Sequence, residues 1–289
     1  MPYPPFSISE VSTYPATFEE DLAAYKAAGV EGIGIWEFKL PKGQDARSVE
    51  ALHASGLKAT ICVPTAPCLL PDFLFPEPRD PAERRKLLCE SVRRFAAFDP
   101  VGVMIVPGPP GDDPAQTRRM VIDGVKAAAD VAGKVGVAIG YEQIRKDAGS
   151  ITWTLPQTLE ILEDIGDPNI KIIFDTWHFW DLPNILDDLQ KYADRFICVQ
   201  VNDRRNPRSW GDRLIPGDGD FDLPGFFGAL EAGGFNGWYD LEIFSDRGIW
   251  GETYPDSLYN LAPAEFARRA VAGFRSSWDK RKARSARSL

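Results

Sequence analysis

At 289 residues, with 44% apolar and 26% charged side chains, the chain has ample material for a core and fits two small domains or one barrel-sized domain. A net charge of −9 argues against a nucleic-acid backbone as partner, and no apolar run approaches the roughly 18 residues of a membrane span. The start, MPYPPFSISEVS, lacks a basic region ahead of an apolar core, and Cys62, Cys68, Cys89 and Cys198 show no CxxC pairing, so the chain reads as soluble and cytoplasmic, without disulfides or a zinc knuckle.

Strand-like and helix-like runs alternate from end to end. A first strand is expected over Phe6 to Thr13, then a helix from the N-cap Thr17, with Glu20 completing a capping box, to the terminator Gly29. EGIGIWEF is the second strand, VEALHAS a helix ended by Gly56, and LKATICVP the third strand. The Pro-rich loop from Thr65 to Pro81 is longer than most connections, as a lid or binding loop would be. A helix from Pro81 to Phe98 precedes the fourth strand, VGVMIVPG, and a helix from Asp113 to about Ala132 precedes the fifth, VGVAIGYE. Helices from about Leu155 and near Pro183 flank the sixth strand, IKIIFD; RFICVQVND is the seventh. FDLPGFFGALEAGG is a helix, GWYDLEIF the eighth strand, and a helix from Pro263 through Trp278 completes the pattern.

Eight strands alternating with eight helices is the count of a single (β/α)8 TIM barrel, placed over residues 1–279. The basic stretch 280–289 is expected to be a solvated, flexible tail. A doubly wound open sheet is the runner-up, but no strand leads into G-x-G-x-x-G. There is no G-x-S-x-G elbow either, and two histidines leave little room for a serine triad.

In a barrel the strand ends share one bowl, and here four of them carry oxygen donors. The fifth strand ends at Glu142, the sixth at Asp175, the seventh carries Gln200 and the eighth reaches Glu242. Individually each reads as a strand-end carboxylate or a satisfied core amide. Together they need a cation, because converging carboxylates repel one another. Three carboxylates and an amide oxygen suit Mg²⁺ or Mn²⁺ better than a structural zinc. His178, three residues after Asp175, can reach the same bowl, whereas His53 falls on the outer side of its helix. Trp36 and Glu37 follow the second strand and are candidates for substrate contact, as are the aromatics and arginines of the later loops.

FDTWH, the glutamate-ended fifth strand, VQVND with the following DRLIPGDGDFD, and DLEIF together resemble the xylose-isomerase-like barrels of sugar isomerases and epimerases. The resemblance spans nearly the whole chain and implies metal binding by Glu142, Asp175, Gln200 and Glu242. It further implies proton transfer by Glu142 and Glu242, and contacts to substrate from His178 and Arg213. Mn²⁺ is the implied ion, with Mg²⁺ and Co²⁺ as alternatives. Two departures stand out: Gln200 replaces the histidine usual in epimerases, as in the 3-dehydroshikimate dehydratase branch, and Gln143 and Ile144 replace a frequent proline and histidine. A DNA-repair endonuclease of the superfamily is a poor match, since Leu214 and Gln200 stand where it would need extra histidines.

The activity implied is isomerisation or epimerisation of a keto sugar or inosose. A lyase is the alternative: an inosose or 3-dehydroshikimate dehydratase, or the large subunit of a C-glycoside deglycosidase acting on 3-keto glycosides. A non-catalytic sugar-binding or partner subunit is the alternative of another class. The expected partner is a small carbohydrate-like molecule, with a homo-oligomer or a small partner subunit left open, and neither nucleic acid nor membrane.

Overall fold

The computed structural model describes residues 3–206 and 208–283. The apolar runs form eight parallel strands: β1 (Phe6–Ser9), β2 (Gly32–Trp36), β3 (Lys58–Val63), β4 (Gly102–Ile105), β5 (Ile139–Glu142), β6 (Ile170–Asp175), β7 (Phe196–Val201) and β8 (Trp238–Leu241). Each pairs with the next, and β8 returns to β1 with Asp240 opposite Ser7, closing the ring. Around it lie α1 (Phe18–Ala27), α2 (Asp45–Ser55), α3 (Pro81–Phe95), α4 (Pro114–Val135), α5 (Leu155–Ile165), α6 (Thr176–Phe179), α7 (Ile185–Lys191), α8 (Leu223–Ala232) and α9 (Pro263–Asp279). This is the (β/α)8 barrel expected from the alternation.

Helix starts follow from local chemistry. Thr17 and Glu20 form a reciprocal capping box at α1, and Asp80 and Asp113 accept backbone N–H groups just ahead of Pro81 and Pro114. Strand alternation then sorts side chains into two apolar layers. Ile172 and Phe174 of β6 face the helices with Ile139, Val199 and Leu241, while Ile173 faces the barrel interior with Ile61, Met104 and Cys198. Asp175, two residues beyond Ile173, therefore continues the inward series. Gly34 of β2 leaves the room that Asp240 occupies: a Cβ there would lie 3.0 Å from the Asp240 carboxylate and from the Ser9 backbone.

Two local features differ from the expectation. β1 stops at Ser9, and Glu10–Thr13 form a 3-10 turn whose Glu10 carboxylate accepts the Trp36 N–H at 2.9 Å. The connection after β6 holds two helices, because Asp175 caps a short α6 and Asn184, at φ 61°, breaks the chain before α7. Of the basic tail, Arg281 pairs with Glu231 and Lys282 with Asp222, while residues 284–289 lie outside the described residues. Among the described residues no helix is long and apolar enough to cross a membrane, and all four cysteines are free.

Candidate active site

The inward ends of β5 and β6, the α6 turn and the residue after β8 converge at the carboxyl-terminal mouth of the barrel. Ligand atoms of Glu142, Asp175 and His178 lie within 4.8 Å of one another. Asp175 is fully buried and heavily used. Its Oδ1 accepts from Asn202 Nδ2 at 2.8 Å and from the Trp177 N–H at 2.9 Å, the second contact being the α6 cap. Its Oδ2 faces Arg213 Nη1 at 3.0 Å and His178 Nε2 at 3.7 Å. Asn202 is one residue past β7, so β7 orients the carboxylate at the end of β6.

Gln200 is the register partner of both Asp175 and Asp240 and is fully buried. Among the described residues neither its Oε1 nor its Nε2 has a hydrogen-bond partner, and Glu242 Oε1 is likewise buried and unpartnered. Unmet buried polar atoms are costly. Burial pushes the Glu142 carboxyl well above its ordinary range, with the charges of Glu242 and Asp175 adding to the rise. Burial also lifts Glu242 to about 8, against the lowering field of Arg213. Arg213 Nη1 lies 3.0 Å from Asp175 and 3.3 Å from Glu242, and its guanidinium lies over Phe244 and Trp177.

Arg213 reaches this position because its loop is pinned. Asp203 and Leu214 exchange backbone hydrogen bonds at 2.8 Å, and the Arg213 N–H donates to Phe244 O at 3.0 Å. The Asp203 carboxylate accepts from the N–H groups of Arg204, Gly217, Gly219 and Phe221. Gly219 is required there, since a Cβ would fall 2.2 Å from Arg204 O. His178 is held neutral, its pKa lowered to about 4 by burial. Its Nδ1 accepts the Arg145 N–H at 3.4 Å, which leaves Nε2 as the protonated nitrogen facing the carboxylates.

Above these groups opens a cavity of about 520 Å³. Glu142, His178, Arg213 and Glu242 line it, and so does Trp36, whose indole N–H donates to Ser9 Oγ at 2.8 Å. Its upper wall is aromatic: Trp36 stacks on Phe75 at 6.4 Å, Phe73 meets Trp210 at 5.2 Å, and Trp210 meets Phe244 at 5.3 Å. Ile144 lines the cavity, whereas Gln143 turns outward and accepts the Thr158 hydroxyl of α5.

Glu37 lies apart from the cavity lining. Its Oε2 accepts from the Thr65 N–H and the Ser91 hydroxyl, and its Oε1 pairs with Arg94 at 3.1 Å, so this carboxylate braces the second and third strands against α3. Sequence reasoning missed Asn202, Arg145 and Asp72, which surround or line the bowl from loops. The only signal for Asp72 was its place in the unusually long loop after β3.

The sequence model of a family described as the xylose isomerase-like TIM barrel matches residues 22–269. A 3-dehydroshikimate dehydratase of Pseudomonas putida is 28% identical over 253 residues, covering 83% of this chain and 38% of the dehydratase. An inosose isomerase of Bacillus velezensis is 27% identical over 121 residues, covering 40% of this chain and 43% of the isomerase. The chain thus aligns with about two fifths of the length of each relative. Among solved structures, the IolI protein with a binding zinc atom superposes with a TM-score of 0.78 at 18% identity, over 96% of this chain and 99% of that one.

Proposed function

Because the chain belongs to the xylose isomerase-like TIM-barrel family, we propose that it is a divalent-metal-dependent enzyme that abstracts a proton next to the carbonyl of a keto sugar or inosose. The observation that carries this is the donor set at the strand ends. Gln200 and Glu242 hold buried, unpartnered oxygens beside two further carboxylates, a set that fits an oxygen-liganded cation. Glu142, Asp175, Gln200 and Glu242 would hold it, with Mn²⁺ the ion of choice and Mg²⁺ or Co²⁺ as substitutes. When bound, such an ion supplies Lewis acidity that polarises the substrate carbonyl.

The chain's own groups do the rest. Glu142 and Glu242 come from β5 and from the end of β8, with β6 and β7 between them, so they approach a substrate from different sides. Burial raises both carboxyls above the ordinary range, which makes each a better proton acceptor than a solvated glutamate. Arg213 and the Nε2–H of neutral His178 offer donors to substrate oxygens, favouring the charge that develops when the proton leaves. Returning the proton to another position isomerises or epimerises the substrate. Expelling a β-substituent from the same enediolate makes the protein a lyase, an outcome favoured by the dehydratase that aligns over 83% of this chain.

Metal analysis of protein purified without added ions, followed by deuterium uptake from heavy water into keto sugars, inososes and 3-keto glycosides, tests this reading. Metal-dependent exchange at one carbon is expected. Glu142→Gln and Glu242→Gln should each lower exchange by about 10²–10⁴-fold while leaving the fold intact by circular dichroism. Full exchange in both variants would remove the two glutamates from proton transfer, and a protein that takes up no metal and exchanges nothing would point instead to a sugar-binding or partner subunit.

A further inference from the structure

We propose that Arg145 is the positioning residue that sets the ring orientation and tautomer of His178, acting through its ion pair with Asp181 and not through contact with substrate. This role rests on the proton-abstraction reading above, in which His178 Nε2–H is a donor to a substrate oxygen.

The need for it arises from the element that carries His178. α6 is a four-residue turn, and Asn184 at φ 61° separates it from α7. A single turn fixes many dihedrals for few hydrogen bonds and cannot hold its own shape. The Asp175 carboxylate caps its first end through the Trp177 N–H at 2.9 Å. The other end is held from outside, by the loop after β5.

Arg145, in that loop, grips the turn twice. Its N–H donates to His178 Nδ1 at 3.4 Å. Its guanidinium reaches Asp181, three residues past the ring, with Nη1 3.1 Å from Oδ1 and Nη2 3.1 Å from Oδ2. Because donor and fork belong to one residue, the ion pair keeps the N–H against the imidazole. The start of the loop is fixed as well: Gln143, two residues earlier, accepts the Thr158 hydroxyl of α5.

Two observations separate this role from the alternatives. As a substrate ligand Arg145 is already engaged, since Nε donates to Asp147 at 3.0 Å and both Nη groups donate to Asp181. Arg213, by contrast, meets the bowl's carboxylates through Nη1 alone among the described residues. As a source of stability the pair is weak, because the Arg145 side chain is 25% and that of Asp181 37% exposed, and rim ion pairs contribute little to folding. What a bidentate fork supplies is direction. With Nδ1 accepting from Arg145, the ring proton stays on Nε2, 3.7 Å from Asp175 Oδ2. Without the pair, Nδ1 loses its fixed donor and the imidazole samples both tautomers.

His53 and His178 are the chain's only histidines, and the exposed His53 serves as an internal reference. Nitrogen-15 NMR of the full chain, labelled at histidine and supplied with diamagnetic Mg²⁺, reads each ring nitrogen directly. The parent should show His178 protonated at Nε2 alone. Arg145→Gln and Asp181→Asn should each move both His178 nitrogens toward averaged tautomer shifts, with His53 unmoved and the melting temperature within about 3 °C of the parent. Arg145→Lys, which keeps the charge without the fork, should fall between the parent and Arg145→Gln. In α-proton exchange of keto sugars and inososes, Arg145→Gln should lower kcat about tenfold with KM unchanged, because the donor acts on charge that develops in the transition state. In a His178→Asn background the same change should cost no further activity. Parental His178 shifts in both Arg145→Gln and Asp181→Asn, a parent protonated at Nδ1, or additive losses in the double variant would overturn the assignment. A parent with the expected shifts that exchanges no proton would overturn the underlying reading and leave the positioning of His178 standing.

Discussion

Asp240 shows how a single buried carboxyl shapes the behaviour of the bowl from beneath. It is 1% exposed and accepts the Ser7 hydroxyl at 2.5 Å through Oδ1. Burial lifts its pKa from the ordinary 3.8 to about 7. Between these values the folded protein keeps a proton that the unfolded chain has released, so stability is highest on the acid side and falls as pH rises through about 7. The melting temperature of metal-free protein should therefore drop from pH 5 to pH 8, and Asp240→Asn should flatten that slope. A slope unchanged in the variant would place its origin in the other buried carboxyls raised with the same sign, Glu10, Asp21, Glu142 and Glu242. Glu37 makes the complementary point about legibility. Its position after β2 identifies a strand-end carboxylate, but direction is decided by Arg94, Ser91 and Thr65, which are distant in sequence and bind it away from the cavity.

At the scale of elements, the loop after β7 is tied down at Asp203, whose carboxylate accepts four backbone N–H groups. Asp203→Ala should lose several charge-assisted hydrogen bonds, each worth about 1.5–3 kcal/mol, and release Arg213 from its place between Asp175 and Glu242. Lower thermal stability together with a raised KM is the expected result; a stability loss with unchanged KM would show that Arg213 holds its position without the loop. The strands themselves were legible because parallel barrel strands are buried on both faces and read as apolar runs. The α6 turn was not. TWHFWDLPN carries no helical period, and only the cap from Asp175 to the Trp177 N–H sets the turn that presents His178. Asp72 was hidden for a related reason: a proline-rich loop has no periodicity from which side-chain direction can be read, and its orientation depends on Cys68 and Phe75.

For the whole molecule, the buried acidic cluster makes folding and ion binding a single problem. Like charges and unpartnered oxygens at the strand ends oppose the folded state, and a cation that neutralised them would bind the native form alone. A divalent ion at a hundred times its Kd should add about 2.7 kcal/mol to the unfolding free energy, raising Tm by several degrees, and a chelator should reverse it. Calorimetry with Gln200→Leu, which removes the amide oxygen while keeping the volume, should show a weaker ion response; an equal response would remove Gln200 from the ligand set. The ring closure carries a different consequence. Because β8 hydrogen-bonds to β1 and the Tyr3 hydroxyl donates to Asp279 at 2.9 Å, the barrel has no mechanically privileged first element. Joining residues near Tyr3 and Asp279 by a short linker, and opening the chain at the exposed Gly166 turn between α5 and β6, would rewrite the order of synthesis without moving a single loop of the bowl. Connectivity and chemistry occupy opposite ends of this molecule, so one is free to be permuted while the other is kept.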